Sequence, residues 1–283
     1  MESRLSSGGL GAGLTDRGLS RVAIVRREVE GRYIVTEAER EVADLLPIEV
    51  DPAVARATVK EVPFWFHTFA LNRAAGIYTP GVARDHRYRV STLPSDFGGM
   101  SVLDVGTFDG FYAFLAEDRG ADRVVAIDNE QYRLWVASRW GVELAGGEGF
   151  RTIHRLLDSG VEYRRMDAFE LDRSDERFDV VYCFGILHRV ENPLGLLRVL
   201  RGRTASGGIV LVETYGVRPA DRDERAIRAS RPGEVYARDE FVYWGFGTIG
   251  LQRLARIAGF SRAESFVDVE VDDHPRIMGR LIA

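Results

Sequence analysis

The chain has 283 residues, 45% of them hydrophobic and 29% charged, with a formal net charge of −5. That balance belongs to a globular protein long enough for a core domain plus a cap or insertion, and no apolar run approaches the roughly 18 residues needed to span a bilayer. The acidic excess disfavours a phosphate-backbone partner, since proteins that grip nucleic acid normally carry a basic surface.

In chain order, residues 1–20 are Gly- and Ser-rich and are expected to be mobile; they lack the compact apolar stretch and cleavage signal of a secretory leader. A helical N-terminal cap is expected over 21–92. Thr36 with Glu39 three residues later forms a capping box for a helix over Thr36–Leu46, and Asp51 followed by Pro52 opens a second helix running to Glu61. An aromatic segment follows (Val62–Phe69), then Gly76-Ile-Tyr-Thr-Pro-Gly81 and Arg84–Arg89. From about Leu93 to Thr214, strands and helices alternate, which reads as an α/β, doubly wound, mostly parallel sheet. Helices are expected over Gly110–Arg119, Glu130–Trp140, Phe150–Leu157 and Pro193–Arg201. Cys183, the single cysteine, falls within an apolar strand and reads as a packed thiol. A polar insertion beside the site spans about 216–247. Thr248–Ala258 reads as a helix closed by Gly259, and Arg262–Val271 and Arg276–Ile282 as strands.

The stretch Ser101–Tyr112 is an apolar strand ending in Asp104, followed by a glycine turn that opens a helix; such a turn lets the backbone approach a nucleotide-like ligand. About twenty residues on, the strand Arg123–Asp128 ends in a second carboxylate, placed to hold the two hydroxyls of a ribose. The turn is not the G-x-G-x-x-G of a dinucleotide site, and no P-loop is present. Asp109 sits at the mouth of the turn, where a carboxylate would repel pyrophosphate but suit an ammonium or sulfonium. The alternative is a glycine-kinked βα turn of an ordinary α/β protein.

This pattern resembles the first motif of the Rossmann-like S-adenosylmethionine (SAM) methyltransferases, in which the strand's final acid is followed by glycines two, four and six residues later. Asp104, Gly106 and Gly110 match; Phe108 replaces the middle glycine. Val161–Ala168 resembles the family's third strand ending in an acid. Arg177–Leu197 resembles its fourth strand and following helix, and Gly207-Gly208 the turn before its fifth. The resemblance implies a sheet of about seven strands whose last two pair antiparallel at the edge, with the last strand antiparallel to the rest. SAM would be the cofactor and S-adenosylhomocysteine (SAH) the product. Gly106, Thr107 and Gly110 would line the methionine moiety while Asp104 orders the turn. Asp128 would take the ribose, Asn129, Asp167 and Ala168 would meet the adenine, and Phe184 and Gly185 would flank the sulfonium. Loop capping by Asp104 and Asp128, and core packing by Phe184, are the structural alternatives.

The run Phe64–His67, the Gly76–Gly81 segment and the glycine motif together resemble a narrower group, over about Pro63–Phe260. It comprises the enzymes that carboxymethylate a wobble uridine in bacterial tRNA and many bacterial small-molecule methyltransferases. The tRNA enzymes use a carboxylated SAM held by extra basic residues, which are not located in this chain by sequence. A small, partly apolar acceptor is therefore favoured, of the kind found among antibiotic-type specialised metabolites, methylated on oxygen or nitrogen. A tRNA substrate and a non-enzymatic ligand-binding role are the alternatives. The setting is expected to be cytoplasmic, with no membrane partner, nucleic acid disfavoured, a homodimer left open, and no metal. SAM arrives already activated, so the protein supplies positioning, desolvation and, for an oxygen acceptor above all, a general base. His188 and His67 are the candidate bases, with His86 a weaker one; Glu213, at the end of the fifth strand, is a further catalytic candidate that would orient a substrate amine or hydroxyl, or else cap a loop. Relatives often carry a second histidine or a Tyr-His pair at His188; here Arg189 follows it. Trp65, Tyr78, His86, Tyr215 and Trp244 are expected to contact the acceptor; the aromatic rings Trp65, Phe66, Tyr78, Tyr243 and Trp244 suit an apolar cap over the site, or else form the core of the cap. His154 and His274 read as structural or solvated.

Overall fold

The computed structural model describes residues 28–29, 32–33, 35–83, 85–218, 223–237, 239–271 and 274–283. The expected mobile segment at 1–20 lies outside them. The elements in order are β1 (Glu28–Val29), β2 (Arg32–Tyr33), α1 (Glu37–Ala43), α2 (Pro52–Glu61), β3 (Ala70–Asn72), β4 (Ile77–Tyr78) and α3 (Arg87–Val90). The core follows with β5 (Ser101–Val105), α4 (Phe111–Asp118), β6 (Arg123–Asp128), α5 (Tyr132–Trp140), α6 (Glu148–Leu157), β7 (Glu162–Arg165), β8 (Phe178–Phe184), α7 (Pro193–Arg203) and β9 (Thr204–Tyr215). Beyond it lie β10 (Ile227–Ala229), β11 (Trp244–Phe246), α8 (Thr248–Ala258), β12 (Arg262–Val271) and β13 (His274–Ile282).

Seven strands form the central sheet in the order β12-β13-β9-β8-β5-β6-β7. The pairs β9–β8, β8–β5, β5–β6 and β6–β7 are parallel. The last strand, β13, runs antiparallel to both of its neighbours, inserted between β9 and the edge strand β12. Both faces of the sheet are covered, which is why β8 and the end of β9 read as unbroken apolar runs rather than alternating ones. One face packs Val102, Val180 and Tyr182 under α4 and the cap. The other packs Leu103, Val181 and Val210 under α7 and α8.

Local chemistry accounts for the helix starts. The Thr36 hydroxyl accepts from the Glu39 amide (3.3 Å) and Glu39 accepts from the Thr36 amide (2.7 Å), completing the capping box. Asp51 accepts from the Ala53 amide at 2.8 Å, with Pro52 at the first position of α2. The cap is not wholly helical, because β3 and β4 make a small antiparallel hairpin within it. β9 starts five residues before the apolar run at Ile209, but its pairing to β8 slips between Thr204 and Ile209. Gly207, at φ +78°, takes up that slip, and a Cβ on Gly208 would lie 2.7 Å from the Asp179 carbonyl oxygen. In the 216–247 insertion, the described residues include the antiparallel pair β10–β11. No helix among the described residues is long and apolar enough to cross a membrane.

Candidate active site

The ends of β5, β6 and β8 open into one cavity of about 370 Å³. At its floor is the turn after β5. The Gly106 and Thr107 amides donate to the Ile127 carbonyl (2.9 and 3.2 Å), and the Thr107 hydroxyl donates to Asp104 at 2.7 Å. Gly106 has φ +79°, and a Cβ there would come within 2.3 Å of Ile186 Cδ1, so the position needs glycine on both counts. Phe108 also adopts a left-handed conformation (φ +54°), although it stands where the family pattern has glycine. Its amide donates to Asp128 Oδ2 at 2.9 Å, and its ring stacks on Tyr132 (3.9 Å) and Phe66 (4.9 Å). The aromatic stack and the carboxylate bond offset the strain of a non-glycine residue there.

Asp128 ends β6 with its other oxygen accepting from the Glu130 amide at 2.6 Å. It caps the loop and lines the cavity at once, so the two readings of this residue are compatible. Burial pushes its carboxyl up to about 6, against the two amide bonds that favour its charged form. Burial likewise lifts Asp104 to about 7, against the Thr107 hydroxyl bond. Asn129 and Ala168 line the cavity; Asp167 and Gly110 do not. Asp167 is engaged by the Asn129 amide group (2.8 Å) and caps the short 3₁₀ turn Ala168–Arg173 through the Phe169 amide (2.9 Å). Its direct adenine contact is therefore corrected to a role holding Asn129. Gly110 starts α4 at φ +89°, packed so tightly that a Cβ would lie 2.4 Å from Phe114. Its assignment to the methionine wall is corrected to helix packing.

At the other end, Phe184 ends β8 and Gly185 follows it, and the 3₁₀ turn Leu187–Arg189 brings His188 to the cavity wall. His188 is fully buried. Its Nδ1 lies 3.3 Å from Thr214 Oγ1, while Nε2 has no partner. Burial first, and then Arg189, Arg276 and Arg89, hold its imidazole well below the ordinary histidine value, so the ring is neutral. His67 reaches the same cavity from the cap with its Nε2 also unpartnered. Its Nδ1 contacts Asp109 Oδ1, and Asp109 Oδ2 accepts from the Phe66 and His67 amides, both at 2.8 Å. Asp109 is therefore buried behind His67 rather than at the mouth of the turn, a partnership across 42 residues that no local pattern reveals. The cap is held close here because Gly81 lies against the backbone of His67, where a Cβ would be 2.4 Å from its carbonyl carbon.

Glu213 is fully buried and lies outside the cavity lining. It accepts from Arg89 Nη2 and Arg276 Nη1, each at 2.9 Å, with the Tyr88 hydroxyl at 3.4 Å. Burial alone would raise its carboxyl, but Arg276 and Arg89 hold it below the usual range. A carboxylate so engaged is a poor base, and its catalytic assignment is corrected to ion pairing.

Of the residues expected at the acceptor, none of the five lines the cavity. Trp65 is core, with Nε1 3.5 Å from the Val59 carbonyl, and Tyr78 donates to Asp44 at 3.0 Å. Nδ1 of His86 lies 2.8 Å from the Tyr112 hydroxyl, behind His67. Tyr215 supports the Arg276 guanidinium 3.5 Å from its ring centre. Trp244 donates to the Val190 carbonyl at 2.7 Å, leaving Tyr243 and Phe241 to line the wall. His154 and His274 bond to the Val161 carbonyl and Arg218 respectively, in structural roles. Burial pushes the Cys183 thiol up to about 12, as a packed thiol requires. Among the described residues no cluster could hold a metal ion.

Residues 78–255 match the family model described as "Methyltransferase domain". The chain belongs to that family. Among curated relatives, the tRNA U34 carboxymethyltransferase of Campylobacter jejuni subsp. jejuni serotype O:6 is 24% identical over 174 residues, 61% of this chain and 53% of that protein. The enzyme of the same name from Klebsiella pneumoniae subsp. pneumoniae is 30% identical over 185 residues, 65% of this chain and 48% of that protein. The chain thus spans about half the length of the curated relatives it matches. Among solved structures, the N-terminal domain of EvdMO1, crystallised in the presence of SAH and D-fucose, is 18% identical with a TM-score of 0.57, covering 83% of this chain and 98% of that one. A Haemonchus contortus N-methyltransferase in complex with phosphomonomethylethanolamine and SAH is 16% identical with a TM-score of 0.52, covering 72% and 53%. These two share the fold.

Proposed function

We propose that this methyltransferase-family chain binds SAM and transfers its methyl group to an oxygen or nitrogen of a small molecule. The observation that carries the reading is one cavity that joins a glycine-and-carboxylate cradle to a wall lined by His188 and His67, each with a buried, unpartnered Nε2. At the cradle, Gly106 and Thr107 would meet the methionine moiety, Asp128 the ribose hydroxyls, and Asn129 and Ala168 the adenine edge. When bound, SAM supplies an electrophilic methyl. The chain's own part is to hold that methyl in line with the acceptor, exclude water with Phe66, Trp135 and Tyr243, and take up the acceptor's proton. Nε2 of His188 is one candidate for that last task, since its ring is neutral and this nitrogen has no partner, but burial and the neighbouring arginines weaken it as a base. Nε2 of His67 is the other, since Asp109 orients the ring and would stabilise it when charged.

Calorimetry with SAH tests the cofactor assignment. Binding in wild type, weakened at least roughly tenfold in Asp128→Ala by loss of charge-assisted hydrogen bonds, is the expected result; no binding would leave a non-enzymatic fold relative. A tRNA substrate is the second reading, favoured by the names of the curated relatives. An electrophoretic shift with bulk tRNA at physiological salt, absent from a neutral control protein, is its test.

A further inference from the structure

The acceptor end of the cavity carries more positive than negative charge. Arg89 and Arg276 both line it, and both are bonded to one carboxylate, Glu213, which stands behind the wall. Their side chains are only 8% and 14% exposed, and Nε of each has no hydrogen-bond partner. Arg189 also lines the wall, but it is matched by Asp239 at 2.6 Å. Asp104 and Asp128 face the cavity from the cofactor end, where Asp104 accepts from the Thr107 hydroxyl and Asp128 from the Phe108 and Glu130 amides. Two desolvated guanidiniums sharing one carboxylate leave a cation without a counter-charge, a costly arrangement unless a ligand completes it. Gly185, which follows β8, lies beside the pair: a Cβ there would be at ordinary contact distance, 3.9 Å from Arg89 Nη2 and 3.8 Å from Glu213 Oε2. Tyr215 and Phe184 support the two guanidinium groups by their ring faces.

We infer that the acceptor carries an anionic group, a carboxylate or its equivalent, seated between Arg89 and Arg276 beside Gly185. The inference rests on the methyltransferase reading and adds the substrate class. Guanidinium pairs bind carboxylates through paired, charge-assisted hydrogen bonds, and the anion restores the charge balance that Glu213 only half supplies. It also orients the acceptor, because an anchored acid leaves the rest of the molecule to face the transferred methyl and the neutral His188.

The probe is sodium formate against sodium chloride at matched ionic strength, added to SAH-saturated protein while the thermal midpoint is followed. The expected result is a larger rise in formate for wild type, lost in Arg276→Met and enlarged in Glu213→Gln, which frees both guanidiniums. If Glu213→Gln does not fold in chloride, recovery of its folding by formate reads the same effect. Equal midpoints in formate and chloride for wild type, or a formate effect that survives Arg276→Met unchanged, overturn the assignment. A second arm compares SAM with SAM carrying a carboxylate on its methyl carbon by calorimetry. Affinities within about threefold keep the anion on the acceptor. A tenfold preference for the carboxylated donor that Arg276→Lys removes moves the anion to the donor and overturns the proposal. SAH binding is measured first, so failure of the methyltransferase reading is seen separately as no binding at all.

Discussion

Asp128 offers a sharp test because its protonation and its ligand are linked. The carboxyl is moved from 3.8 to about 6 by burial, a difference worth on the order of 3 kcal/mol. The sign follows from which form each state prefers. Folding favours the neutral form, so the folded, cofactor-free protein gains stability from this group as pH falls from about 6 towards 3.8. Ribose hydroxyls donate to the charged form and lower the pKa again, so binding expels a proton. At pH 6 the free site is half protonated and the bound site nearly empty, giving a release of about half a proton and an affinity that rises roughly tenfold between pH 5 and 7. Calorimetric titration of SAH in two buffers of different ionisation enthalpy measures the release. Asp128→Ala should abolish the component centred near pH 6, while any contribution from Asp104 centres near its own value of about 7. An SAH affinity that is flat across that range, with no buffer dependence in wild type, would refute the ribose assignment.

Further outcomes follow from the same geometry. His188→Ala is expected to lower turnover at least roughly a hundredfold with SAH affinity nearly unchanged, checked by single-turnover kinetics beside calorimetry; wild-type turnover removes this histidine as the base. Asp109→Asn should lower both turnover and thermal midpoint, because Asp109 orients His67 and accepts from two backbone amides; a variant of full activity excludes His67 as the base. Gly110→Ala places a methyl 2.4 Å from Phe114 and 2.7 Å from Phe150 at φ +89°. It should cost about 2 kcal/mol or more by denaturant unfolding. Cys183 should resist a thiol reagent until the protein is unfolded, because it is buried and its thiol stays protonated.

Much of the fold was legible because its signals are local. The Thr36–Glu39 box, the Asp51-Pro52 start and the Gly259 stop are each read within a few residues, and α1, α2 and α8 lie where they place them. The strands β5, β6 and β8 and the later part of β9 were legible as apolar runs, since burial on both faces removes alternation, whereas the polar edge strand β7 (Glu162–Arg165) was legible only from its place in the family pattern. Asp104, Gly106 and Thr107, from one short motif, and Asp128, from the end of the next strand, come together on the cavity for a similarly local reason, since strand ends and turns place them. The acceptor end was not. His67–Asp109, Arg89–Glu213 and Arg276–Glu213 join residues 42, 124 and 63 positions apart, and no propensity or period encodes such pairs. Trp65 and Tyr78 stayed between two readings because an aromatic residue suits a cap core and a ligand wall equally well; only the packing separates them, and both are core. Asp109 was misplaced because its neighbours in sequence face the cavity while its own side chain turns to the cap.

The net charge of −5 also says less about the acceptor than it first suggests. Surface charge governs encounter with a large polyanion, and solvent and salt screen it. A buried arginine field acts only on what enters the cavity, and the low local dielectric strengthens it. The two can have opposite sign in one molecule, as they do here. Burial first keeps His188 neutral, and the field that would hold an anion adds to this, because Arg189, Arg276 and Arg89 all oppose its protonation. Anion recognition and the protonation state of the imidazole are then coupled through the same arginines. Substituting Arg276 should therefore change two readouts together: weaker binding of an acidic acceptor, and a pH–rate profile whose acidic limb, set by deprotonation of the imidazole, moves to higher pH as the imidazole becomes easier to protonate.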